Sequence, residues 1–244
     1  MTDLSSVKLM GTVLIVSEDE EATRQLTKAM EELALSVEVC SNVSDALEKV
    51  NHNKFEAGFV DFLLRDQAIQ FLKRMRSSAS NRNAVTFAIT SSTTETAHAL
   101  KAGSSFALER PLTVDSIRNT LNAAYGLIVR ERRRYFRYPI SVPAAAYRKG
   151  EPEIFGKTVN ISERGMAVTC TTPLIPGAEV RLQFSLTNPQ LALTAECKVC
   201  WTNDRGQSGL SFLLLASSLS SELQVWLAQK LEEQLPDRVT RRFQ

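Results

Sequence analysis

The spacing of apolar residues changes character near residue 140, and the change divides the chain into two parts built on different plans. Before that point, continuous apolar runs alternate with stretches of helical period. Val13-Leu14-Ile15-Val16 is uninterrupted, as a parallel strand covered on both faces requires. Glu20 to Ala34 follows with Leu26, Met30 and Leu33 on one helical face. Residues 37–40 then predict a strand and 43–50 a helix capped by Ser41 or Asn42. The alternation continues through a strand at 57–60, a helix near 67–76, a strand at 85–89, a helix near 94–102, a strand at 106–108 and a helix from Thr113. This repetition predicts a doubly wound α/β domain over residues 10–128, with a five-stranded parallel sheet.

Beyond residue 140 the period drops to two. Short strand-like runs occupy residues 142–147, 153–159, 166–170, 179–186, 191–201 and 209–215. Breaks fall at Pro152, Gly156, Pro176-Gly177, Asn188-Pro189 and Gly206. Closely spaced strands with such punctuation predict a small antiparallel β-barrel. A helix follows from Ser218 to about Leu235, capped by Ser218 or Ser221 and ended by Pro236. Its apolar stripe is Leu223, Trp226, Leu227 and Leu231. The barrel and this helix make a second domain over residues 140–235, in which Trp201 and Trp226 are expected as core or packing aromatics rather than base-stacking platforms. Residues 129–139 remain as an arginine-rich linker or switch. Leading into it, Val114, Ile117, Leu121, Ala124 and Ile128 alternate steps of three and four. That stripe is too short to argue a coiled coil by itself, so packing on the domain's own sheet is the expectation and a homodimer seam the alternative.

Composition narrows the function classes. With 244 residues, 43% hydrophobic and 23% charged, the chain fits two soluble domains. No apolar run approaches the ~20 residues of a membrane span, the acidic N-terminus is no signal peptide, and a cytoplasmic protein is expected. The net charge of +2 conceals an asymmetry. Residues 1–127 hold thirteen Lys and Arg against sixteen Asp and Glu, which leaves the remainder at +5. A basic second half suits a phosphate-bearing partner. Cys197-x-x-Cys200 lies within a strand, where residues three apart face opposite sides, so the pair is expected to be structural rather than a metal or redox site. The sequence also lacks a nucleophile–histidine pairing or a phosphate-cradling glycine loop, and no enzymatic activity is expected.

Arg132-Arg133-Arg134-Tyr135-Phe136-Arg137 strings guanidinium groups ahead of the barrel, and Asn160-Ile161-Ser162-Glu163-Arg164-Gly165 forms a polar turn between two strands. Guanidinium forks onto phosphate and stacks on flat rings; amide and hydroxyl groups bond base edges; glycine permits close approach. Together, Arg133-x-x-x-Arg137 and Asn160-x-Ser162-x-x-Gly165 resemble the signature of PilZ domains, receptors for cyclic di-GMP. The resemblance implies that Arg133 and Arg137 clamp phosphates and stack on guanine. It likewise implies that Asn160 and Ser162 bond a guanine edge and that Gly165 lets the backbone close. An arginine before the motif, here Arg132, accompanies binding of two stacked nucleotides in this family. The linker is expected to be mobile until ligand neutralises it and shifts the domains.

The first half resembles a receiver domain of a response regulator. The matching strand-end positions are Ser17 and Glu18, then Asp61 as phosphoacceptor, Thr90, and Arg110 before Pro111. Ser17 replaces the first acid of the magnesium pair, Arg110 stands in place of a lysine, and Arg65 and Ile69 replace the proline and glycine of the following loop. The site has lost charge for a hard cation, so magnesium at Glu18 and Asp61 is not expected, no cofactor is required, and a degenerate receiver used for docking or dimerisation is the expectation. Two alternatives stand beside a cyclic di-GMP effector acting on an unknown downstream protein. One is a nucleic-acid-binding response regulator, against which the second half shows no helix-turn-helix pattern. The other is a PilZ-like adaptor that has lost its ligand.

Overall fold

The computed structural model describes residues 11–148 and 150–234, which divide into two compact units, one of residues 11–132 with Gln234 and the other of residues 133–233. Leu235 and Pro236, where the last helix is expected to end, lie outside the described residues, and the helix itself stops earlier, at Glu232.

The first unit opens with β1 (Gly11–Val16), α1 (Glu20–Glu32), β2 (Leu35–Cys40), α2 (Val43–His52) and β3 (Ala57–Asp61). A 3₁₀ turn (Phe62–Leu64), α3 (Asp66–Ser77), β4 (Val85–Thr90), α4 (Thr93–Lys101), β5 (Phe106–Glu109) and α5 (Val114–Tyr135) follow, the unit ending within α5 at Arg132. The strands pair in parallel in the order β2-β1-β3-β4-β5, the five-stranded doubly wound sheet expected from the periodicity. Continuous burial of Val13 to Val16 follows from helices covering both faces. Of the two candidates to cap α2, Asn42 does so, accepting the Asp45 N–H. In the stripe on α5, Ile117, Leu121, Ala124 and Ile128 are buried within this chain, and only Val114 is exposed.

At the end of the sheet away from Asp61, Arg76 is stapled into backbone. Its guanidinium donates to the carbonyls of Gly103, Arg82 and Ala84 and to the hydroxyls of Thr86 and Ser105. Burial pushes its pKa down. This single side chain ties the end of α3 to the starts of β4 and β5.

The segment expected as a linker is largely helical. Helix α5 continues through Arg130 to Arg134 and ends at Tyr135. Arginine and glutamate are good helix formers, and Lys54–Glu131 (2.9 Å) and Arg132–Glu56 (3.8 Å) pairs offset repulsion among the arginines. Past the helix, Phe136 is buried and Arg137 exposed.

The second unit contains β6 (Tyr138–Pro139), β7 (Pro143–Tyr147), β8 (Ile154–Ser162), β9 (Gly165–Cys170), β10 (Glu179–Leu186), β11 (Leu191–Thr202), β12 (Gln207–Leu215) and α6 (Ser217–Glu232). Their order is β6-β8-β7-β10-β11-β12-β9, and β9 pairs back onto β8, so the antiparallel sheet closes into a barrel. β10 alternates without a fault: Val180, Leu182, Phe184 and Leu186 point in. Opposite them, Ile161, Met166, Val168, Leu193, Val199 and Leu210 fill the interior. Helix α6 buries Leu223, Trp226, Leu227 and Leu231, the expected stripe; Trp226 donates to the Thr187 carbonyl (3.3 Å) and meets Tyr138 edge-on. Neither expected serine caps α6: Ala216 occupies that position, and Ser221 donates back to the Ser217 carbonyl.

Candidate ligand-binding site

Two places gather the candidate residues, one in each unit. In the first unit, the carboxyl ends of β1, β3 and β4 and the residue after β5 bring Ser17, Asp61, Thr90 and Arg110 to one end of the sheet. Asp61, 1% exposed, is fully engaged. Its Oδ2 accepts from the Ser17 hydroxyl at 2.8 Å and pairs with the Arg110 guanidinium at 2.6 Å, and its Oδ1 accepts the Leu63 N–H at 3.0 Å. Arg110 spans a second carboxylate, Asp19, at 3.0 Å. Asp19 caps α1 through the Ala22 N–H, and its own N–H donates to Ser17.

Glu18, the expected partner of Asp61, is exposed. Asp19 takes the place in the charge cluster that the sequence reading assigned to Glu18. The signal that could have found Asp19 is its position as an acidic N-cap one residue before the helix. Thr90 is buried, with its hydroxyl bonded to that of Thr96 at 2.9 Å. Arg65 follows the 3₁₀ turn at φ 52°, a left-handed conformation that costs a residue with a side chain more than it costs glycine.

In the second unit the two motifs meet. Tyr138 and Pro139 of β6 pair with Ile161 and Asn160 of β8, which lays Arg137 beside the second motif; its Nη1 donates to Asn160 Oδ1 at 3.4 Å. The motif is not wholly a turn: Asn160 and Ser162 end β8, Gly165 begins β9, and only Glu163 and Arg164 turn between them. Its members face different tasks. Asn160 is half-buried and reaches Arg137, whereas Ser162 is buried and donates back to the Gly165 carbonyl at 2.8 Å. At Gly165 a Cβ would lie 2.1 Å from the Leu210 carbonyl oxygen, so the glycine is required by the approach of β12. Arg133 lies in the last turn of α5 and pairs with Glu232 of α6 at 3.2 Å. Arg132 belongs to the first unit and faces Glu56.

Of the two expected core or packing aromatics, Trp201 is the packing one, lying on the outside of the barrel. It is 46% exposed, whereas Trp226 is core as expected. Strand register sets Asn160, Ala167, Gly209 and Trp201 in one row across β8, β9, β12 and β11. Ile161, Met166 and Leu210 beside that row point inward, so the row lies on the outer face. The indole lies over Gly209, where a Cβ would come within 2.1 Å of Nε1. The result is a flat aromatic surface three strands from Asn160, about 14 Å at the usual strand spacing.

The cysteines behave as the strand parity requires. Cys197 is buried and Cys200 exposed, both free, and burial pushes the Cys197 thiol up to about 12.

Comparison with known families matches residues 131–229 to the PilZ domain and residues 13–122 to the response regulator receiver domain. Among solved structures, the chain is similar to the chemotaxis response regulator CheY4 of Vibrio cholerae, at 18% identity over 47% of this chain and 98% of that one, TM-score 0.43. A Francisella response regulator receiver domain shares 24% identity over 48% of this chain and 97% of its own, TM-score 0.42. A CheY-like receiver domain protein of Methanospirillum hungatei shares 18% identity over 52% and 98%, TM-score 0.44. Among curated proteins none matches the chain. No helix among the described residues is long and apolar enough to cross a membrane.

Proposed function

The chain joins a response regulator receiver domain to a PilZ domain, and we propose that it is a receptor for cyclic di-GMP whose receiver half works as a scaffold without phosphoryl chemistry. The observation that carries the first part is the Arg137–Asn160 hydrogen bond, which joins two motifs separated in sequence on one outer face of the barrel. A guanidinium held by a neutral amide keeps its charge available for phosphate, and the amide keeps free hydrogen-bonding capacity for a base edge. Trp201, in the same row, offers a stacking surface to a purine. Ser162 and Gly165 serve this site by shaping the turn that presents Asn160. Arg133, now on Glu232, exchanges that carboxylate for a phosphate when ligand binds.

The receiver half is degenerate in this reading. Magnesium takes near-octahedral oxygen ligands. Here Ser17 turns its proton toward Asp61, Arg110 neutralises the carboxylate, and Glu18 faces solvent. That donor set does not fit the ion. A cation fixed on the carboxylate leaves no place for phosphoryl oxygens and supplies a constant positive charge instead. The protein acts by binding rather than catalysis, and passes the bound state to a downstream protein through rearrangement about α5.

Calorimetric titration tests the receptor reading. Wild type is expected to bind cyclic di-GMP at micromolar concentration or tighter. Removing one charge-assisted contact in Arg137→Ala should weaken it about 10- to 150-fold, from ~1.5–3 kcal/mol. Equal binding by wild type, Arg137→Ala and Asn160→Ala would sink the proposal.

A further inference from the structure

We infer that Glu56, a buried carboxylate of the receiver domain, competes with the dinucleotide for Arg132 and so sets the affinity of the receptor. This rests on the cyclic di-GMP reading above and adds to it a residue outside the PilZ domain that regulates the site.

Glu56 sits just before β3 and is 2% exposed. One oxygen accepts the Thr12 N–H at 2.7 Å and the other faces the Arg132 guanidinium at 3.8 Å. An ionised carboxylate at that depth is stable only while hydrogen-bonded and paired. Gly11 leaves it room, since a Cβ there would run into the Glu56 side chain. The carboxylate is therefore built into the first unit, where it faces Arg132 of α5.

Neighbouring residues on a helix diverge by about 100°. Within α5, Arg132 is aimed at Glu56 while Arg133 is aimed at Glu232. While the helix runs on to Tyr135, the neighbouring side chains of Arg132 and Arg133 point in different directions and Arg132 stays on Glu56. For Arg132 to join Arg133 and Arg137 around a dinucleotide, the last turn of α5 must unwind and the Glu56 pair must break. The Nε atoms of Arg132 and Arg133 are both shielded from solvent without a hydrogen-bond partner, so each arginine is held short of its full bonding capacity. Ligand gains those donors and the receiver loses a counterion. By linkage, whatever strengthens the Glu56 pair weakens the ligand, and the reverse.

The test is a four-way calorimetric titration with cyclic di-GMP: wild type, Glu56→Gln, Arg132→Ala and the double variant. Glutamine still accepts the Thr12 N–H but carries no charge. Glu56→Gln is expected to bind about three- to tenfold tighter than wild type, within the usual range of coupling between sites. In the Arg132→Ala background the same change should do nothing. Unchanged affinity in Glu56→Gln, with wild type binding normally, overturns the competition while leaving the receptor reading intact. Failure of wild type and Glu56→Gln alike to bind removes both. Hydrogen exchange on wild type serves if the variants fold poorly: ligand should speed exchange of backbone amides at 130–135, and slower or unchanged exchange there overturns the inference.

Discussion

Replacing Gly165 by alanine separates a structural from a ligand-facing role for the last position of the Asn160 motif. A Cβ at 165 would lie 2.1 Å from the Leu210 carbonyl oxygen, 3.1 Å from its carbon and 3.2 Å from Ser211 Cα, all backbone atoms of β12. Relief requires β9 and β12 to part by about an ångström where Gly165 pairs with Ser211. Overpacking of this kind costs about 1–3 kcal/mol. For a unit of some 100 residues that is a fall of about 4–20 °C in melting temperature. Tryptophan fluorescence is a clean assay, because both tryptophans, Trp201 and Trp226, belong to the barrel unit. Gly209→Ala is the control: its Cβ would strike the Trp201 indole, a surface side chain free to swing away, so the melting temperature should fall by much less. If Gly165→Ala melts like wild type and yet loses ligand, the glycine exists for ligand approach and the packing argument is wrong.

Two further outcomes follow from the first unit and one from the barrel. Restoring the missing groups in Ser17→Asp with Arg110→Lys should let Asp61 react with a small-molecule phosphoryl donor in the presence of magnesium, detected by intact mass, while wild type stays unmodified; a wild type that reacts readily would contradict the scaffold reading. Arg76→Met should cost about 3 kcal/mol in chemical denaturation, because it strips donors from three carbonyls and two hydroxyls; a loss under 1 kcal/mol would show that water replaces them. Stability of the barrel should decline above about pH 9, where the unfolded chain ionises a thiol that the fold holds protonated to about 12 at Cys197; Cys197→Ala should flatten that decline in the same denaturation series.

Both architectures were legible because periodicity reports burial directly: the uninterrupted run at Val13–Val16 and the alternation in Glu179–Leu186 each have one stable covering. What escaped is local and has identifiable causes. β6 is two residues long and contains proline, so no pattern could announce it. The sequence allows a helix as far as Phe136, broken only by Gly126, but does not reveal the partners that hold its arginines: Glu131 and Arg132 pair with Lys54 and Glu56, far apart in sequence. Trp201 follows Leu191, Leu193, Ala195, Cys197 and Val199, all inward, and by parity belongs inside as well. A register shift between Val199 and Trp201 turns it out, as a bulge does. At the two motifs, residue types pointed to one place, but only the fold separates Asn160, which reaches the surface, from Ser162 and Gly165, which pack within the turn.

The most direct test of the central claim is to watch the side chains themselves. In ¹⁵N NMR spectra of the full chain, adding cyclic di-GMP should shift the Asn160 side-chain amide, the Arg137 guanidinium N–H and the Trp201 indole N–H together, saturating at one concentration, while the buried Trp226 indole stays put. Shifts confined to other residues, or none at micromolar ligand, would contradict the account.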